Sequence, residues 1–245
     1  MRTFVLVHPA WFGGWCWRKV IPLLRAAGHR VHTPTLTGLG ERAHQATPQV
    51  TLGTNIDDVV NVLFYEDLDH VILVGNSSSG AVITGVADRV SDRIDRLVYL
   101  DAFVPRDGQS VVDLIPPDRR RAMQELVQSE GDGWLLPRFS ATPWEQFIPT
   151  AWEVSDEADL RWALPRLCPT PFGHFTEPVQ LRIPDADMPP RRYIRTRWPH
   201  PGFDAFARYA QSNPGWTYAE IDSSHLPQIT DPGQLATLLL EHACW

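Results

Sequence analysis

Lysine is nearly missing from this chain: Lys19 stands alone among 22 basic residues, and 29 acidic residues leave a formal net charge of −7. Such a balance excludes a phosphate-reading surface, because nucleic-acid binding needs clustered cations to displace counterions. The densest basic run, Arg119-Arg120-Arg121, is answered by Asp118 and Glu125 and reads as a solvated helix face. Cysteine is scarce too. Cys16, Cys168 and Cys244 are odd in number, far apart and without metal-ligand spacing, so they read as buried structural thiols. No stretch approaches the roughly 18 apolar residues of a membrane span. The start, Met1-Arg2-Thr3-Phe4-Val5-Leu6-Val7, is too short in apolar residues for a signal peptide. These absences predict a cytoplasmic protein, monomer or homodimer, with neither nucleic acid nor membrane as a partner.

What is present in excess is proline, 22 residues, and tryptophan, 10 residues. Short aliphatic runs alternate with amphipathic stretches, the pattern of a parallel sheet with crossover helices. Strands are expected at residues 4–7, 31–36, 70–75, 97–100, 192–196 and 217–221. Helices are expected at 15–27, 54–65, 78–89 and 235–242. Between Pro105 and Pro190 the character changes: more than half of the prolines fall here, with Trp134, Trp144, Trp152 and Trp162. Short helices at 117–130 and 157–164 are expected in this stretch, and no strand. Since so long a structureless connection is improbable in a compact domain, it reads as an insertion. The predicted organisation is a core in two parts, 1–104 and 191–245, with a cap or lid at 105–190.

The strongest chemical signal is Gly75-Asn76-Ser77-Ser78-Ser79-Gly80, lying between an aliphatic run and a helix start. Small residues around a serine at such a turn allow the tight elbow that pushes a hydroxyl out of a sheet. Ser77 is the expected nucleophile, with Ser78 as the rival frame. A hydroxyl needs a base, itself oriented by an acid. His225, in Ile221-Asp222-Ser223-Ser224-His225, follows the last strand and comes after the serine in the chain. For the acid, Asp101 ends the strand after the elbow, and an unpartnered carboxylate there is costly; Asp204 is the alternative. His8-Pro9-Ala10-Trp11 closes the first strand. Proline lacks an N–H, so Ala10 is the better donor to an oxyanion, together with the N–H of Ser78. Trp11 and Phe103 are candidate pocket walls. Gly38-Leu39-Gly40 lacks the third glycine of a dinucleotide fingerprint. His174 and His200 sit in proline-rich stretches without ligand spacing and read as surface or lid residues.

These segments, with Gly13-Gly14-Trp15-Cys16-Trp17 and 33–42, resemble the alpha/beta-hydrolase superfamily. The branch is that of small bacterial esterases similar to plant methylesterases and hydroxynitrile lyases. The resemblance implies a mainly parallel six-stranded sheet flanked by helices, with an inserted helical cap. It also implies a Ser–His–Asp triad, an oxyanion hole, and no cofactor or metal. In this branch the aspartate follows the strand after the elbow, matching Asp101, whereas the lyases use the later position. The chain departs from the family at Pro9, at Asn76, Ser78 and Ser79 in the elbow, and at Ser224 before the histidine. The expected function is hydrolysis of a small, largely apolar carboxylic ester. A lyase on the same scaffold, or a small-molecule binding protein without turnover, is the alternative.

Overall fold

The computed structural model describes residues 1–137, 152–198 and 201–243. Trp144, His200, Cys244 and the prolines at 143 and 149, all part of the sequence expectations, lie outside these described residues. The described strands, in chain order, are β1 (Thr3–Val7), β2 (Arg30–His32), β3 (Val71–Asn76), β4 (Ile94–Leu100), β5 (Leu135–Leu136), β6 (Thr170–Pro171), β7 (Arg191–Thr196) and β8 (Trp216–Ile221). The described α-helices are α1 (Ile21–Ala26), α2 (Leu52–Tyr65), α3 (Ser79–Arg89), α4 (Pro117–Glu130), α5 (Glu157–Ala163), α6 (Gly173–Thr176), α7 (Asp204–Ser212), α8 (Pro227–Thr230) and α9 (Pro232–Ala243).

Six strands form one parallel sheet in the order β2-β1-β3-β4-β7-β8. Every residue of β1 and β3 is buried, because helices cover both faces and the strands need no polar alternation. Among those helices, α2 packs on α3 and α1 on α9. The capping box of Thr51 and Thr54 starts α2, whose Leu52, Ile56, Val59 and Leu63 are buried. The edge strand β2 is shorter than its sequence suggests, since Pro34 cannot extend the ladder.

This topology decides where a site can form. From β1 the chain steps outward to β2 and then returns to β3 on the other side, so the strand order reverses between β1 and β3. Loops leaving the carboxyl ends of two such strands diverge and open a crevice. The register places Val7 beside Gly75, Asn76 beside Leu100, Leu100 beside Ile194, and Thr196 beside Ile221. The loops after β1, β3, β4, β7 and β8 therefore emerge along one rim.

Several expectations need correction. The helix expected at 15–27 is a 3-10 turn at Gly14–Trp17 followed by α1, because the backbone winds too tightly at first for an unbroken α-helix. Helix α7 went unread because its buried face consists of Ala207 and Ala210 rather than large aliphatic residues. The 105–190 stretch contains strands after all: β5 and β6 form a two-residue antiparallel ladder outside the main sheet. His174 is buried instead of lying on the surface, held by Asn55 of α2 at 2.8 Å. Cys168 is only half-buried; its sulfur accepts the Gly40 N–H at 3.2 Å. Cys16 is buried as expected.

Candidate active site

The turn between β3 and α3 sets the first element of the site. Ser77 has φ of 57°, in the left-handed region that costs a non-glycine residue of the order of 1–3 kcal/mol. The surroundings enforce it. The Ser77 N–H donates to Leu100 O at 3.2 Å, while Ser77 O accepts the N–H groups of Gly80 and Phe103, each at 3.1 Å. Glycine is required nearby for space: a Cβ on Gly80 would lie 2.0 Å from Phe103 O, and one on Gly75 2.7 Å from Ser79 O.

The residues that depart from the family's elbow pattern each form a tie. Asn76 Nδ2 donates to Leu100 O at 2.9 Å and to His225 O at 3.4 Å, and Gln228 Nε2 donates to Asn76 Oδ1 at 2.9 Å. The Ser79 hydroxyl donates to His8 O, at the exit of β1. Ser78 Oγ accepts the Ala10 N–H at 3.0 Å. The two expected oxyanion donors are thus brought together, with the Ala10 N–H engaged by the Ser78 side chain. Pro9 O accepts from Phe12 N and from His8 Nδ1, closing the loop on itself. Trp11, also at positive φ, donates its N–H to Thr170 Oγ1 at 2.8 Å, linking this loop to β6.

The second element is a buried acid–base pair. His225 Nδ1 donates to Asp101 Oδ2 at 2.7 Å, with the two side chains 3% and 0% exposed. A carboxylate only accepts, so the proton belongs on Nδ1 and Nε2 is left with a lone pair. Asp101 is gripped further: Trp198 Nε1 donates to the same Oδ2 at 2.7 Å, and Arg195 Nη1 to Oδ1 at 2.7 Å. Burial alone pushes the Asp101 carboxyl up. The His225 hydrogen bond and charge, then the Arg195 cation and the Trp198 N–H, outweigh it, and the group lies below its ordinary value. Leaving one member of such a buried ion pair alone costs about 3–5 kcal/mol.

Asp204, the other candidate acid, is not against the imidazole. Its Oδ1 accepts from Arg195 Nη2 at 2.9 Å and Nε at 3.2 Å, and its side chain is 43% exposed. Arg195 therefore bridges both candidates, and only Asp101 reaches His225. Neither Arg195 nor Trp198 was found from sequence. One signal was available: β7 reads Arg-Arg-Tyr-Ile-Arg-Thr, and a guanidinium inside a sheet needs a carboxylate nearby.

Aromatic rings enclose the imidazole. Phe203 stacks on His225 at 5.0 Å, Trp198 lies at 5.0 Å and Trp152 at 6.1 Å. Trp152 also meets Trp11 at 5.8 Å and Phe12 at 5.7 Å, and its carbonyl accepts the His225 N–H. Phe103 packs on Phe203 and Phe206. No group of three or more potential metal ligands occurs among the described residues, and no described helix is long and apolar enough to cross a membrane.

A parallel sheet with a strained serine after β3 and a buried histidine–aspartate pair after β8 and β4 defines a hydrolase class. The sequence model of the alpha/beta hydrolase family matches residues 4–238, and the chain belongs to that family. It is similar to a carbendazim hydrolyzing esterase of Nocardioides sp. (strain SG-4G), 39% identical over 98% of both chains. It is also similar to methylesterase 8 of Arabidopsis thaliana, 35% identical over 98% of this chain and 88% of that one. Among solved structures, an extracellular alpha/beta-hydrolase from a Paenibacillus species superposes with a TM-score of 0.84. That protein is 27% identical over 98% of each chain, and is described as sharing structural and functional homology with tobacco salicylic acid binding protein 2. The chain is thus an esterase-type alpha/beta hydrolase.

Proposed function

We propose that the protein hydrolyses a small, largely apolar carboxylic ester through an acyl-enzyme on Ser77. His225 Nε2 takes the Ser77 proton as the oxygen attacks the ester carbonyl, and gives it to the departing alcohol. Water then attacks the acyl-enzyme with the same base, releasing the acid and restoring Ser77. Asp101 holds the imidazole in the required tautomer and supports its charged form. The N–H groups of Ala10 and Ser78 hold the carbonyl oxygen as it gains charge, the latter helped by the N-terminus of α3. Engaging the Ala10 N–H means that Ser78 Oγ shares it with the oxyanion or turns aside.

The observation that carries this reading is the buried 2.7 Å bond between His225 and Asp101, on the rim that also carries the strained Ser77. Trp11, Trp152, Trp198 and Phe203 favour an apolar acyl or alcohol group. Trp152 comes from the 105–190 insertion, which supports a role for that segment as a cap over the site. The expected setting is the cytoplasm, with a monomer or homodimer and no cofactor. The test is labelling with a fluorophosphonate followed by peptide mass mapping. Modification at Ser77, blocked by prior acylation, is expected; an unmodified Ser77 overturns the acyl-enzyme. An ester panel of graded size then finds the substrate, with methyl esters and carbendazim first because the relatives are named for them.

A further inference from the structure

We propose that Arg195 is a positioning residue for this reaction: it holds the Asp101 oxygen that His225 does not use, and so sets the pH at which the base fails. This rests on the Ser77–His225–Asp101 reading above. Oδ2 of Asp101 accepts both His225 Nδ1 and Trp198 Nε1, each at 2.7 Å, and Oδ1 accepts Arg195 Nη1 at 2.7 Å. Three donors from three directions leave the carboxylate one orientation, and hence the imidazole one orientation. Arg195 lies on the same sheet face as Tyr193, two residues earlier. The Tyr193 hydroxyl donates to Ala102 O at 2.9 Å and accepts Ala102 N at 3.1 Å, fixing the backbone beside the acid.

The electrostatic consequence follows from sign. A lone Asp101 would stabilise a protonated His225 strongly and make the base fail at higher pH. The guanidinium on the other oxygen offsets part of the negative charge that the imidazole faces. Asp204, on the far side of the same guanidinium, offsets part of the arginine charge from a position open to solvent. The titratable and charged groups facing this cluster include Arg195 and Tyr193 of β7, Arg197 just after it, Tyr218 and Glu220 of β8, Asp204 and Arg208 of α7, and His225. Of these, Arg195 touches the carboxylate with a full positive charge, so its removal dominates.

The experiment compares the acid limb of kcat/KM against pH, on an aryl ester the wild type turns over, for Arg195→Met, Arg195→Lys and Asp204→Asn. An NMR titration of the His225 ring proton gives the same quantity without substrate. Arg195→Met is expected to move the limb upward by about one pH unit. Arg195→Lys returns it toward the wild-type position even where kcat falls. Asp204→Asn moves it the other way by a few tenths of a unit. Loss of rate equal at all pH values, with the limb and the ring titration unmoved, overturns the proposal and leaves Arg195 a structural residue. Should Arg195→Met fail to fold, Asp204→Asn decides: an unmoved or raised limb overturns the proposal. Asp101→Asn separates the two layers. If it keeps full activity, the triad itself fails; if it abolishes activity while the Arg195 and Asp204 variants leave the limb in place, only this inference fails.

Discussion

The elbow and the acid cluster supply the two halves of the site, and they are built in opposite ways. The elbow is local: residues 75–80 carry the turn, the left-handed Ser77 and the glycines that make room for it. The acid cluster is assembled from Asp101, Arg195, Trp198, Asp204 and His225, which lie up to 124 residues apart. Backbone hydrogen bonds and close packing hold the strained first, and charge balance in a buried space holds the second. The first therefore tolerates few changes of shape, the second few changes of sign.

The largest effect should come from the elbow's hydroxyl. Ser77→Ala is expected to lower kcat by 10⁴-fold or more while leaving the melting temperature nearly unchanged, since alanine keeps the Cβ and the backbone bonds of the turn. Activity kept by this variant would remove the elbow from the chemistry. In the acid cluster, Asp101→Asn should cost about 10³–10⁴ in kcat. Asp204→Asn should cost less than about tenfold, because Asp204 acts only through Arg195. Equal losses would erase the distinction between the two carboxylates.

A change of shape sharpens the same comparison. Gly80→Ala places a Cβ 2.0 Å from Phe103 O, so the backbone on one side must move. A loss of about 1–3 kcal/mol or more in urea unfolding is expected, with kcat falling in parallel. Unchanged stability would show that the elbow has slack.

The smallest effect concerns two buried histidine rings outside the proposed triad, His8 at the exit of β1 and His174 of α6. Burial lowers His8 to about 4, partly countered by its bond to Pro9, and burial with His8 nearby lowers His174 to about 3. Below about 6.5 the unfolded chain protonates these rings while the folded protein keeps them neutral, so stability falls as pH drops from 6.5 toward 4. His174→Gln should flatten that decline by of the order of 1 kcal/mol per pH unit, read from urea midpoints at pH 5 and 7. A slope identical to wild type would place the acid sensitivity elsewhere, in carboxylates such as Asp101.

The departures from the family's elbow show what sequence comparison alone conceals. Asn76, Ser78 and Ser79 look like losses when set against the family's elbow pattern. In the folded protein they become ties to β4 and His225, to Ala10, and to His8. A polar residue reads as a defect until its partner is known, and these partners sit 24 to 149 positions away.

By itself, the sequence determined what depends on neighbours along the chain. Aliphatic runs specified buried strands, helical spacing specified α2 and α3, and glycines around Ser77 specified the elbow; each is a short-range demand of sterics or burial. It also narrowed the acid to Asp101 or Asp204, since both follow strands on the same rim. Only the tertiary structure gave the two carboxylates different surroundings. It brought Asp101 to His225, turned Asp204 outward onto Arg195, and set Trp198 and Phe203 against the imidazole. The reason is physical: a buried charge is stable only in a complete set of partners, and that set exists only once β4, β7 and β8 lie side by side.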